Sequence, residues 1–501
     1  MLYSRAAAQP ETEEMTNHDT SRENRWYLRI EGVNFDHFVL DSNELKIIRG
    51  GSLLLLNSVD FLAHKMPELD KITAGASWGL FAFEAKNRHE SDRILRRARR
   101  FFDRDPRYRH ATITLAVLPA NDEYQRTRGR LATLSRWQQM QSPSLAVPLP
   151  GSRSRASGIC QVDKVRPANR HIRRRRDNPR ETWTDVSASV KARWTAQGRE
   201  KRRFYQQRTG LNLTFTDNLH DLAAPADGQD FGNLNHKMAV IYLDGNNFGK
   251  LAGAYCRNEE KQREFDRRLR VEFQNGALKT LLEEIHKDPD FENCGKIRLE
   301  TLLWGGDEII WVVPAWKGWW LLGRFFEITR DWKLDKLDEK PLTHGAGLVF
   351  CHSNAPIRPV IELVKLLGDA AKGDRSANRV AYQILESFDH TGADPETVRR
   401  RRWPLDDTSS MILGGDAMLE AEQAVRHIKA NDLPKRRLYR LAHLAFSDHG
   451  KARAIAGELK PLAGEQNLID LERCFGSGLA TWLHLLELWE YLGLEKGGNT
   501  P

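Results

Sequence analysis

The sequence predicts an α+β chain. It consists of two ferredoxin-like, palm-type units of order β-α-β-β-α-β, a basic segment between them and a helical C-terminal region. Three observations carry this reading. The same succession of apolar runs and helical stripes occurs twice. The turn after the first strand is similar in both, "EGVNF" (31–35) and "DGNNF" (244–248). Beyond about residue 410 the apolar residues keep helical spacing to the end.

The second unit is the clearer one. "KMAVIYL" (237–243) is a continuous apolar run, suited to a strand covered on both faces. Phe265, Leu269, Phe273, Ala277, Leu281 and Ile285 recur four apart, which predicts one long helix, and Asp288-Pro289 stops it. "IRLETLLW" and "IIWVVP" read as two strands joined by a Gly-Gly-Asp-Glu turn. A helix over about 315–332, a strand "THGAGLVF" (343–350) and a helix over 356–372 complete the unit.

The first unit repeats the order: "WYLRIEG", a helix over "NELKIIRGGSLLLLNSVDFLAH" despite its two glycines, the hairpin "DKITAG"/"GLFAFEA", the helix "SDRILRRARRFF" and the strand "ATITLAVLP". The expected divisions are a disordered N-terminus (1–22), a degenerate first palm (23–120), a basic linker or helical insertion (121–235), a second palm with the GGDE turn (236–395) and a helical domain (396–501).

The chain of 501 residues carries a net charge of +9, concentrated at 93–110, 170–180 and 398–403. Such clusters favour polyanion contact, nucleic acid above all. Its five cysteines are widely spaced with no CxxC pair, so no structural zinc site is signalled. Without a signal peptide or a membrane-length apolar run, a reduced, cytoplasmic protein with no membrane partner is expected.

The carboxylates carry the chemistry. In this topology the first strand of the second unit lies beside the third, so Asp244 at the end of one meets Asp307 and Glu308 at the start of the other. Adjacent carboxylates are what two Mg²⁺ or Mn²⁺ ions need for phosphoryl transfer, with a backbone carbonyl near Gly245 as a further ligand. Gly305 and Gly306 let the turn approach a phosphate. Lys372, in "AAKGDR" (370–375), is a candidate for triphosphate oxygens, and Asn247 for sugar or base. The same motif also reads as an ordinary hairpin with surface acids, and Lys372 as a solvated helix-end lysine. In the first unit Glu31 takes the place of Asp244 and the turn is "GASWG" (75–79), with no acid. That unit is expected to be catalytically inert, serving packing or a nucleotide-shaped pocket.

"YLDGNNFGKL" and "WGGDEIIWVVP" together resemble the second palm of the Cas10/Cmr2 family, the large subunit of type III CRISPR complexes, and "LDSNELKIIRGGSLLL" (40–55) resembles its first palm. The resemblance covers roughly 26–120 and 236–375. It implies synthesis of cyclic oligoadenylates from ATP with the turn binding metal, and partners that include guide or target RNA and other CRISPR subunits. Asp244, Gly305, Gly306 and Asp307 carry over. Glu308 stands where the family has a second Asp. The family's HD nuclease domain has no expected counterpart, and Cys160 is alone where many members have zinc cysteines. Two other readings stand beside this one. One is a catalytically dead scaffold binding RNA or nucleotide. The other is a diguanylate cyclase, disfavoured by Ala252 and Ile309 at positions where that family has Asn and Phe.

Overall fold

The computed structural model describes residues 24–120, 123–141, 158–173, 183–333, 341–373, 375–386 and 403–494. The N-terminal stretch expected to be disordered, most of the Pro/Ser-rich loop and the arginines at 174–180 and 398–402 lie outside the described residues. The fold is mixed α+β, with several sheets and a helical C-terminal region.

The first unit contains β1 (Arg25–Val33), α1 (Leu45–Lys65), β2 (Asp70–Ala74), β3 (Trp78–Glu84), α2 (Arg88–Arg104) and β4 (Thr112–Pro119). Its sheet runs β2-β3-β1-β4 with every neighbour antiparallel. Helix α2 starts where the Asn87 side chain accepts the Glu90 N–H, filling an otherwise unmet donor of its first turn. The glycines inside α1 are explained by close approach: a Cβ on Gly50 would overlap the Arg193 carbonyl of the helix packed across it.

Next come α3 (Tyr124–Gln141), the short antiparallel pair β5 (Arg170–Ile172) and β6 (Thr184–Val186), α4 (Ala188–Thr209) and α5 (Leu219–Ala223). The expected weakly patterned insertion thus holds two long helices. Low apolar content hid α3, whose buried residues are only Tyr124, Thr127, Leu131 and Ser135.

The second unit has β7 (Lys237–Gly245), α6 (Phe248–Tyr255), α7 (Glu259–Asp266), a π-helical stretch Arg267–Gln274, α8 (Asn275–Ile285), the minor pair β8 (Glu292–Asn293) and β9 (Lys296–Ile297), β10 (Glu300–Gly305), β11 (Glu308–Pro314), α9 (Ala315–Thr329), β12 (His344–His352) and α10 (Ile357–Ala371). The single long helix expected over 265–285 is therefore three segments. A stripe spaced strictly by four drifts around a 3.6-residue helix. The wider π turns offset that drift and keep Phe265, Leu269, Ala277, Leu281 and Ile285 buried together.

The sheet runs β10-β11-β7-β12, the same order as in the first unit, and continues through β13 (Arg379–Ile384) and β14 (Leu413–Gly414). Strand β13, parallel to β12, was not expected: "RVAYQI" is short, and its Arg and Gln break the apolar run. The continuous apolar runs have the predicted cause. On β7, Ala239, Ile241 and Leu243 pack into one core with α8, α9 and the C-terminal helices, while Met238, Val240 and Tyr242 pack into another with α10 and the first unit. Helices Met418–Ala430, Lys435–Ala445, His449–Ala463, Glu465–Phe475 and Leu479–Glu487 form the C-terminal region.

Helices α1 and α4 and strand β10 meet at a buried ionic cluster. Arg49 Nε donates to Glu300 Oε1 at 2.7 Å and its NH2 to Glu300 Oε2; Lys201 Nζ donates to Glu300 Oε2 at 2.7 Å and to the Thr216 carbonyl at 2.9 Å. All three side chains are buried. Among the described residues no helix is long and apolar enough to cross a membrane, and none of the five cysteines is in a disulfide.

Candidate functional site

Strand β7 ends with Asp244-Gly245 and β11 begins with Glu308. The register sets Glu308 opposite Asp244, with Gly345 of β12 on the other side. Gly306 and Asp307 form the two-residue turn between the paired Gly305 and Glu308. Gly306 has φ +55°, the left-handed backbone that a tight hairpin takes at its first central position and that a side chain disfavours. The Gly245 N–H donates to the Asp307 carbonyl at 3.0 Å, and the Gln274 side-chain amide donates to the Gly306 carbonyl. Both bonds hold the turn against the end of β7.

Three acids thus share one end of the sheet, and their charges interact. Burial first, then Asp244 and Glu308, push the Asp307 carboxyl up to about 6. Tyr242, two residues before Asp244 on the same strand face, points its hydroxyl at Asp244 Oδ2 and Glu308 Oε1, 3.1 Å from each. Burial and the two carboxylates hold that phenol far above its ordinary range. Lys372, just past α10, donates to Asp244 Oδ2 and, at 3.3 Å, to Asp369 Oδ1. Partial burial opposes its charge, but Asp244 and Asp369 together raise it.

In this arrangement Asp244 and Glu308 face Tyr242, and Asp244 also faces Lys372. Among the described residues no three acid, His or Cys side chains are gathered closely enough to hold a metal ion. Asn247 has a left-handed backbone (φ 61°) and its Oδ1 accepts from Arg375 at 3.0 Å. Phe248 is buried under Gly245 as core.

The other face of the turn meets the first unit. A Cβ on Gly305 would overlap Ala76, so the acid-free turn of one unit packs directly on the GGDE turn of the other. Beside this contact lies a cavity of about 510 Å³. The first unit lines it with Arg29, Thr73, Gly75 and Trp78, and the second with Gly249, Ala252, Gln274 and Gly306. Gly306 is the one predicted site residue on its wall; the carboxylates and Lys372 are not. Arg29 lies 4.7 Å from the Trp78 ring centroid and pairs with Glu31 at 2.9 Å, so the acid standing in the place of Asp244 is neutralised within its own strand. Gln274 Oε1 is buried with no hydrogen-bond partner among the described residues.

Sequence reasoning missed Tyr242, Gln274, Arg29 and Trp78. Only Tyr242 had a local signal, since strand period two sets it on the face of Asp244.

No family model matches this sequence, and no curated protein matches it. Solved structures do. The chain is similar to Csm1 in a Csm1-Csm4 cassette in complex with cA3 (TM-score 0.55, 11% identity, 95% of this chain and 70% of that one). It is similar to Csm1-Csm4 cassettes in complex with cA4 (TM-score 0.51, 12% identity, 95% and 70%) and with AMPPNP (TM-score 0.51, 12% identity, 94% and 70%). At this identity the likeness is one of fold, and it extends over nearly the whole chain.

Proposed function

We propose that this is a Cas10-like protein whose region 236–395 is a palm domain that joins ATP into cyclic oligonucleotides in CRISPR-type defence, with region 23–120 as an inert second palm. The observation that carries the reading is the pairing of Asp244 with Glu308 beside Asp307 in the two-residue Gly306-Asp307 turn. The fold shared with Csm1, whose cassettes are described with cA3, cA4 and AMPPNP, supports the substrate class and a Csm4-like partner.

The donor chemistry suits a hard divalent cation, Mg²⁺ or Mn²⁺, once the three carboxylates draw in from the spread they have here: carboxylates crowded enough to raise Asp307 to about 6 are relieved by a dication. Asp244, Asp307 and Glu308 would hold it, Asp244 giving up Lys372, and the ion would supply activation of a 3′-hydroxyl and neutralisation of the leaving pyrophosphate. Lys372, once released, is a cation for triphosphate oxygens. Tyr242 orients the two paired carboxylates. Gly306 allows close approach from the cavity, Gln274 Oε1 offers an unmet acceptor to a nucleotide there, and the Arg29–Trp78 pair offers a charged, aromatic wall.

A second reading, a nucleotide-binding scaffold without catalysis, is favoured by the Lys372 bond that occupies Asp244. Incubation of the pure protein with labelled ATP and Mn²⁺, beside an Asp307→Ala/Glu308→Ala variant, separates the two. Oligonucleotide product lost in the variant supports the enzyme. Nucleotide binding without product, alone or with co-purified RNA, supports the scaffold.

A further inference from the structure

Four polar side chains spaced by four, Gln262, Asp266, Arg270 and Gln274, form one row on the wall of the cavity between the two units. They run from α7 through the π-helical stretch, whose wider turns keep a spacing of four on one face. Most of their polar atoms are met. Gln262 Oε1 accepts from Arg128 at 2.6 Å, Asp266 Oδ1 accepts from the Thr73 hydroxyl at 2.9 Å, and Asp266 Oδ2 pairs with Arg270 at 3.0 Å. Two atoms are not. Gln274 Oε1 and Arg270 Nε are buried with no hydrogen-bond partner among the described residues.

Gln274 is 3% exposed, and only one end of its amide is used. Its Nε2 donates to the Gly306 carbonyl, so the amide cannot turn over without setting Oε1 against that carbonyl. The acceptor is therefore fixed in place, and leaving it unmet is costly. The rest of the wall suits a flat ring. Gly129 of α3 and Gly249 of α6 both line the cavity, and a Cβ on either would meet nothing within 4 Å. Packing does not call for glycine there, although glycine weakens a helix, so the two leave the wall open. Trp78 adds an aromatic wall from the first unit. An adenine ring presents an amino donor beside a ring-nitrogen acceptor, the complement of one unmet acceptor and one unmet donor.

We propose that Gln274 is a positioning residue that joins two events: it accepts a hydrogen bond from the amino group of a purine nucleoside in this cavity, and through its other end it holds the Gly306-Asp307 turn for the metal. A donor at Oε1 polarises the amide and strengthens its N–H bond to Gly306. That bond, with the one from the Gly245 N–H to the Asp307 carbonyl, draws the turn against the end of β7, where Asp244 stands. Filling the cavity thus readies the carboxylates for a dication, and by linkage the dication tightens the nucleoside by the same factor. The inference rests on the nucleotidyl-transfer reading for the metal at this turn, and adds a coupling between base and metal that does not pass through phosphates.

The test uses adenosine, which has no phosphate to hold a metal, so any effect on Mn²⁺ passes through the protein. Free Mn²⁺ is measured by electron paramagnetic resonance with the full chain, with and without saturating adenosine. Adenosine is expected to raise Mn²⁺ affinity by at least about threefold. Purine riboside, which lacks the amino group, is expected to leave it unchanged. Gln274→Glu keeps an acceptor for the cavity but has no N–H for Gly306, so it is expected to bind adenosine without coupling. Gln274→Leu is expected to lose the coupling and roughly tenfold in adenosine affinity. Thermal melts check that both variants are folded, and the purine riboside comparison needs no variant at all. The proposal is overturned if adenosine does not bind, if it leaves Mn²⁺ affinity unchanged or lowers it, or if purine riboside or the Gln274→Glu chain couples as strongly. Mn²⁺ binding that is absent altogether sinks the metal reading together with this one. Mn²⁺ binding that is indifferent to adenosine sinks this one alone, and the ATP assay with the Asp307→Ala/Glu308→Ala chain decides the other.

Discussion

Glu308 lies directly opposite Asp244 on neighbouring antiparallel strands, and one tyrosine hydroxyl, that of Tyr242, is 3.1 Å from a carboxylate oxygen of each. A hydroxyl has one proton to donate, so it quiets the repulsion of this pair without removing it. Tyr242→Phe is therefore expected to destabilise the cation-free protein by about 1–2 kcal/mol, the cost of leaving a buried polar group unmet. Added Mn²⁺ should erase most of that difference. Thermal melts with and without Mn²⁺ measure it, and an equal loss in both would sink the idea that a cation takes over the tyrosine's task.

Lys372 competes for Asp244 with any cation. Lys372→Met should tighten Mn²⁺ binding severalfold while weakening ATP binding about tenfold, the loss of one phosphate charge contact. Calorimetric titration with each ligand reads both. A lysine that only caps its helix would leave the two affinities unchanged.

Gly305 is fixed by the neighbouring unit. Gly305→Ala should cost about 1–3 kcal/mol through overpacking against Ala76. Ala76→Gly in the same chain should recover only part, because the backbone of Ala76 is also in the way. Urea unfolding of the two single variants and the double checks this.

The buried cluster of Arg49, Lys201 and Glu300 has one anion for two cations. Glu300→Gln should cost about 3–5 kcal/mol, since it strands both cations away from water. Lys201→Met should cost clearly less, because Arg49 keeps its two bonds to Glu300. Equal losses in urea titrations would contradict this ranking.

His344 is buried among Phe248, Phe325 and Trp332, and burial lowers it to about 4. The unfolded chain takes up this proton near pH 6.5 and the folded chain only near 4. Stability is thus fully present above 6.5 and is lost as pH falls toward 4, by up to about 3 kcal/mol from this group. His344→Phe should flatten the melting temperature over that window. His110, lowered to about 4 mainly by its burial, leaves a residual slope.

The sequence determined the elements and their repetition. Strand period, the helical stripes and the turn residues are local signals, so both β-α-β-β-α-β orders, a turn within Gly-Gly-Asp-Glu and the helical end could all be read from it, while strand pairing narrowed that turn to Gly306-Asp307. Asp244 could be matched to Glu308 because topology fixes which strand ends are neighbours. The sequence also misled where local pattern was outweighed. The spacing by four concealed a π stretch, and polar composition concealed α3 and β13, whose burial depends on partners far along the chain.

What tertiary structure alone decided is where the side chains go once the strands are paired. It turned Asp244 toward Lys372, set Gly305 against Ala76, and made a cavity from Trp78 and Gln274, residues with no common motif. Such contacts join positions more than a hundred residues apart. They follow from how two sheets and their helices pack, which depends on the summed shape of many side chains and is written in no short stretch of sequence.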